Sequence, residues 1–144
     1  MIQVVKYMKG NFMTKILEFY KCNICGNFVE VVFPGAGELV CCGQPMEKME
    51  EKNTSEEMSE EKHVPIVTKT QDGVEIKVGE APHPMEDGHY IMFIEANSAD
   101  KKYVKRKYLL PHEEPVLKLK CDCKEVVARE LCNIHGVWIS EKQE

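Results

Sequence analysis

No apolar run in this 144-residue chain approaches the ~20 residues that cross a membrane, so a membrane-spanning role is not expected. Positive charge is also short. Nineteen Lys and Arg stand against 24 Asp and Glu, and a net charge of −5 lacks the basic footprint that nucleic-acid binding needs. The first fourteen residues, MIQVVKYMKGNFMT, carry neither the apolar segment nor the small-residue cleavage site of a secretory signal. A cytoplasmic location is therefore expected. Residues 1–14 read as an N-terminal extension, because Met13 opens the patterned sequence as well as Met1 does. Histidine is missing before residue 63, and there is no internal repeat. Between Glu47 and Lys62 there is no aromatic or β-branched apolar residue, only a run containing seven Glu and three Lys. Such a stretch cannot bury itself, so it reads as a solvated linker at a domain boundary.

What remains is ordinary in bulk and unusual in detail. Apolar residues make up 43% and charged residues 30%, a mix suited to a soluble globular protein of one domain or two small ones. Seven cysteines are many for this length, and the number is odd. In a reducing compartment they point to metal ligation or buried thiols rather than to paired bridges. Cys22, Cys25, Cys41 and Cys42 lie together, Cys121 and Cys123 form a second group, and Cys132 stands alone.

The segment before the linker is too small for an adequate core, and pieces below about 40 residues usually need a metal, disulfides or a partner. After His63 the pattern becomes that of short strands. Val74, Ile76 and Val78 alternate with Glu75 and Lys77. Leu117 and Leu119 share parity with Cys121 and Cys123, which places those two cysteines toward the core. YIMFIE, KKYVKRKYLL and GVWIS are further strand candidates, with Gly and Pro punctuating the runs. Many short strands separated by turns predict a mainly β protein with a compact antiparallel sandwich.

Cys22-Asn23-Ile24-Cys25-Gly26 is a metal knuckle: the two-residue gap lets both thiolates reach one ion, and the glycine permits the tight turn that follows. Cys41 and Cys42, followed by Gly43, complete a four-sulfur set suited to zinc or a single iron. Neighbouring side chains normally diverge, so the adjacent pair requires a distorted local turn and is expected to spoil the tetrahedron. Spacing alone leaves a purely structural zinc staple open.

A second constellation follows the linker. His83 and His89 share a loop containing Pro and Gly, Cys132 and His135 are three residues apart before Gly136, and His63 sits where the linker ends. Four imidazoles and one thiolate exceed what zinc takes, whereas iron accommodates five protein ligands and keeps a position open. Each residue taken singly has a plainer role, as a surface or core histidine or a buried thiol. His112, in Pro-His-Glu-Glu-Pro, is assigned to an exposed turn.

The stretches CNICG, CCGQPM, EKHVP, PHPMEDGHYI and ARELCNIHGVW, in this order over residues 15 to 142, resemble the desulfoferrodoxins, the two-domain superoxide reductases. The resemblance implies a desulforedoxin-like four-cysteine iron domain at 15–50, an acidic linker at 51–61, and an immunoglobulin-like catalytic domain at 62–144. It implies ferric iron at Cys22, Cys25, Cys41 and Cys42, with zinc as a substitute in recombinant protein. It also implies a catalytic ferrous iron held by His63, His83, His89 and His135, with Cys132 as the axial thiolate. Superoxide would be reduced there to hydrogen peroxide, opposite a thiolate that pushes electron density through the metal. Lys62 would attract the anion, Glu61 would occupy the sixth position in the ferric state, and rubredoxin or a similar small carrier would restore the iron. A homodimer is implied as well. An electron-transfer iron protein and a zinc-bound structural module are the alternatives that metal content and reaction with superoxide would separate.

Overall fold

The computed structural model describes residues 13–53 and 63–141. The chain divides into two compact units, 1–50 and 51–144. All the named elements are β-strands.

The first unit contains β1 (Phe19–Lys21), β2 (Phe28–Glu30), β3 (Val40–Cys41), β4 (Gln44–Pro45) and β5 (Glu47–Lys48). β1 lies between β2 and β5, antiparallel to both, and β3 and β4 make a separate hairpin. Its buried apolar residues among those described are Leu17, Phe19, Cys22 and Val31, with the Phe28 ring 5.1 Å from Phe19. Val32, Phe33, Val40 and Ile24 are exposed. Of the expected extension, Met13 and Thr14 belong to this unit instead. Met13 bridges Ala36, and Thr14 is buried with its N–H donating to Gly35 O. Of the apolar run from Phe28 to Phe33, only Phe28–Glu30 pairs as β2, and Val32 and Phe33 are exposed beyond it.

The second unit comprises β6 (Glu51–Lys52), β7 (Pro65–Lys69), β8 (Gly73–Val78), β9 (Ile91–Ser98), β10 (Val104–Tyr108), β11 (Val116–Lys120), β12 (Val126–Cys132) and β13 (Gly136–Ile139). A five-stranded sheet runs β10-β9-β12-β13-β6, and a three-stranded sheet runs β11-β8-β7. Val74, Ile76 and Val78 of β8 and Leu117 of β11 meet Ile91, Ile94 and Ala96 of β9 and Val126 and Ala128 of β12 in one core. This is the expected sandwich, with two differences. The pairing of β6 with β13 is parallel, and its residues Glu51 and Lys52 were expected in the linker. β11 also stops at Lys120, so Cys121 and Cys123 lie beyond the strand. They pack against the core as parity suggested, but they are joined to each other as a disulfide rather than held as two thiols.

Two strands break the period-two rule by burying charge. Glu95 on β9 and Arg129 on β12 face each other in register and form an ion pair; Arg106 reaches the other Glu95 oxygen at 2.5 Å, and Arg129 also holds Glu51 at 2.9 Å. On the opposite face of β12, Glu130 shares parity with Val126, Ala128 and Cys132 and is fully buried. Its carboxyl oxygens have no partner among the described residues, and burial pushes its pKa well above the ordinary range. Burial without a partner therefore favours its neutral form.

Candidate metal centres

The four-cysteine centre is built from two turns. Cys22 N–H donates to Asn27 O at 2.8 Å, and Gly26 N–H to Cys22 O at 3.0 Å, folding the knuckle back on itself with Gly26 at φ +84°. The hairpin β3–β4 aligns Cys41 with Gln44, leaving Cys42 and Gly43 as a two-residue loop at φ +54° and +74°. Two successive positive φ values define the type I′ turn, whose twist matches that of its strands. A non-glycine residue there is costly, and this is the distortion that adjacent ligands require. The sulfurs show little of it. Cys25 Sγ lies 3.6 Å from Cys41 Sγ, which lies 3.9 Å from Cys42 Sγ. A tetrahedron with metal–sulfur bonds of about 2.3 Å has edges of about 3.8 Å. All four sulfurs fall within 4.8 Å of one another.

Cys22 and Cys42 are shifted in opposite directions by their surroundings. Backbone N–H groups of Cys25 and Ile24 pull Cys22 down to about 6, while the Cys25 and Cys22 sulfurs push Cys42 up to about 12. Four thiolates this close cannot all ionise alone. The donor set therefore suits a thiophilic ion.

The second centre lies in the sandwich unit, where loop ends converge. His63 precedes β7, and His83 and His89 come from the β8–β9 connection. Cys132 ends β12, at a register shift against β9, and His135 occupies the turn into β13. The β8–β9 loop is closed by reciprocal bonds between Glu86 and His89 of 3.0 and 3.1 Å. Asn133 ties it to the second turn, its Oδ1 accepting from Tyr90 N–H at 2.9 Å and its Nδ2 donating to Gly88 O at 3.1 Å. Gly136, at φ +82°, permits the reversal after His135.

The four imidazoles form a square. Ring centroids are 4.6 Å apart for His63–His83 and His63–His135, 4.9 Å for His83–His89 and 5.1 Å for His89–His135, while the diagonal His63–His89 is 6.4 Å. His63 Nε2 lies 3.0 Å from both His83 Nε2 and His135 Nδ1. Nitrogens about 2.1 Å from one ion at right angles are about 3.0 Å apart. A single His63 proton can serve only one of its two neighbours, so the convergence is better explained by a shared cation. Cys132 Sγ is buried, groups with His63, His83 and His89 within 4.8 Å, and lies 3.7 Å from His135 Nδ1.

Surrounding groups set the protonation states. His83 Nδ1–H donates to Pro84 O at 2.6 Å, which leaves the Nε2 lone pair facing inward. Burial, then repulsion from the other histidines, brings His83 down to about 4, so it is neutral near pH 7. Burial raises the Cys132 thiol, opposed by the backbone N–H groups of His135 and Ile134.

Three further residues were not singled out by sequence. Trp138 stacks on His63 at 4.9 Å and donates from Nε1 to His135 O at 3.2 Å. Exposed Lys52 also reaches His135 O, at 3.2 Å, and lies over the Trp138 ring. Asn133 is the third. Its position between two ligands was a usable signal, as was Trp138 being the only tryptophan; nothing in the charged run around Lys52 distinguished it. His112 is outside the cluster, exposed and paired with Asp87 at 3.1 Å. Glu61 and Lys62 lie outside the described residues.

Comparison with known proteins covers both units. The family described as "Desulfoferrodoxin, N-terminal domain" matches residues 14–49, and "Desulfoferrodoxin" matches residues 55–141. The chain is 49% identical over 128 residues to the desulfoferrodoxin homolog of Archaeoglobus fulgidus, covering 89% of this chain and 99% of that one. It is 46% identical over 129 residues to the desulfoferrodoxin of Syntrophotalea carbinolica, covering 90% and 99%. Among solved structures, the superoxide reductase from Treponema pallidum superposes with a TM-score of 0.63 at 26% identity, over 87% of this chain and 97% of that one.

Proposed function

This chain belongs to the desulfoferrodoxin family, and from that premise we infer that it is an iron-dependent superoxide reductase whose sandwich unit carries the reaction. The observation that carries the inference is the square of four imidazoles beside a buried thiol within one unit. His63, His83, His89 and His135 would supply imidazole nitrogens to the catalytic iron, and Cys132 its thiolate. Cys22, Cys25, Cys41 and Cys42 would hold the second iron. When bound, the catalytic iron supplies one electron, which with two protons converts superoxide to hydrogen peroxide.

The chain's own residues prepare that site. Pro84 O fixes the His83 tautomer, and Trp138 holds His63 by stacking and His135 through its carbonyl. The Ile134 and His135 N–H groups favour the Cys132 thiolate against burial. A thiolate at Cys132 would donate electron density to the iron and so tune its redox chemistry. Lys52 is exposed and donates to His135 O, and its positive charge would favour the approach of a small anion. Lys62 is assigned the same role from sequence and Glu61 that of a ferric-state ligand.

Rubredoxin or a similar small electron carrier is the proposed donor, a homodimer the proposed assembly, and the cytoplasm the proposed location. Among the described residues, no helix is long and apolar enough to cross a membrane.

Mixing anaerobically reduced, iron-loaded protein with superoxide tests the activity. One peroxide per superoxide, without oxygen release, is expected. Oxygen release without net electron consumption would indicate dismutation, and no accelerated loss of superoxide would overturn the assignment. Lys62→Ala is expected to slow the reaction severalfold at low salt and little at high salt, because steering is screened. An unchanged rate at low salt would remove Lys62 from the mechanism.

A further inference from the structure

Cys121 and Cys123 belong to neither metal centre. They stand in the connection from β11 to β12, in Lys120-Cys121-Asp122-Cys123-Lys124, and are joined as a disulfide across a single residue, with Cα atoms 5.2 Å apart. Cys121 N–H donates to Asp72 O at 3.0 Å, which anchors the loop beside the start of β8. Both cysteines are half-buried and line a cavity of about 700 Å³, together with Tyr103, Val104 and Leu119. Val126, at the near end of β12, lines the same cavity, whereas Cys132 ends that strand six residues later, roughly 20 Å away at the rise of an extended chain.

A structural bridge works by closing a loop in the unfolded chain, and its contribution grows with loop length. A bridge spanning one residue gains close to the least that this mechanism offers. Chemical access is better than stability as an account of it. The sulfurs border a cavity rather than a sealed core, which leaves them open to small reagents. A second thiol within bonding reach also intercepts a sulfenic acid before it oxidises further.

We propose that Cys121 and Cys123 form a second redox centre of this chain, a two-electron dithiol/disulfide couple that consumes hydrogen peroxide and is restored by a small dithiol entering the adjacent cavity. One thiolate attacks the peroxide, forming an S–O bond as the O–O bond breaks, and the departing hydroxide takes a proton and leaves as water. The second thiol displaces the sulfenic oxygen, forming the S–S bond and releasing a second water. In the return step a thiolate of the dithiol attacks one sulfur to give a mixed disulfide. Its second thiol then resolves that bond, leaving as a cyclic disulfide and returning two electrons and two protons to the cysteines. Only the supply of peroxide by the same molecule rests on the superoxide reductase assignment.

Trypsin isolates this pair as the peptide 121–124, so its state is read by mass after alkylation. Full-length, iron-loaded protein is treated with dithiothreitol, freed of it, and exposed to one equivalent of hydrogen peroxide. The peptide is expected to carry no alkyl group at first, two after reduction, and none after peroxide. Oxidation is expected to be at least about tenfold faster than in the free four-residue peptide. Cys121→Ser and Cys123→Ser should each lose peroxide-driven disulfide formation while superoxide reduction stays at the wild-type rate. Full alkylation before reduction that peroxide does not reverse would overturn the proposal. So would a bond that dithiothreitol opens only after denaturation, or oxidation no faster than in the free peptide. Because peroxide is added directly, these results do not depend on whether the iron reduces superoxide.

Discussion

The two metal centres invert the relation between fold and site. Among the described residues of the first unit only four apolar side chains are buried, one of them Cys22 itself, and the cysteine-bearing turns make up much of the structure. In the sandwich the proposed ligands sit at the ends of strands, and of them only Cys132 belongs to the core, which with the charge network is otherwise built from other residues. The difference teaches that a metal organises the first unit, whereas the second unit organises its metal.

Removing metal should break this comparison most visibly. Chelation under reducing conditions is expected to unfold the first unit, a loss on the order of 10 kcal/mol of binding free energy, while the sandwich stays folded. Amide proton–nitrogen spectra check this: collapse of only the first unit's dispersion is expected, and loss of both together would erase the distinction. The reverse experiment attacks the scaffold. Glu95→Leu leaves Arg129 buried without its main partner and should destabilise the sandwich by about 3–5 kcal/mol. Urea titration followed by Trp138 fluorescence measures it, with the four-sulfur absorption unchanged at zero urea.

Cys132→Ser probes the site without the scaffold. A loss of superoxide reduction of about 100-fold or more is expected, with the first centre's spectrum and the sandwich's urea midpoint nearly unchanged. The smallest effect concerns pH. His83 is held neutral to about 4 in the folded unit against 6.5 when unfolded. Between those values the unfolded chain binds more protons, so His83 removes stability as pH falls, roughly 2–3 kcal/mol in the metal-free unit. Glu130, with its raised pKa, acts in the opposite direction above pH 4.5. The difference between wild type and His83→Gln, measured by urea titration from pH 7 to 4, therefore isolates the histidine. A pH-independent difference would contradict the burial of a neutral imidazole.

Much of this was legible in the sequence because it depends on local chemistry. The Cys22–Cys25 knuckle, the strained pair Cys41–Cys42 and the alternation of β8 are written in adjacent residues. β12 was not recognised as a strand. Its Arg129 and Glu130 suggest a solvent face, yet both are buried, one paired with Glu95 and the other in surroundings that favour its neutral form. Register brought that pair together across 34 positions, which no local pattern encodes. The end of β11 was missed for a related reason: period-two parity continues through Cys121 and Cys123, although the ladder does not. Lys52 reached the His135 carbonyl only because β6 joins the sheet beside β13.

His63 precedes the first long strand of the sandwich and His135 the last, 72 positions apart, and their ring nitrogens are in contact. A metal held between them is a cross-link as well as a reaction centre, closing a loop worth about 4 kcal/mol in unfolded-chain entropy. A single backbone cut in the exposed turn at 110–114 would leave three of the proposed histidine ligands on one fragment and Cys132 with His135 on the other. The two pieces should then reassemble as a split protein, with metal uptake reporting their reunion.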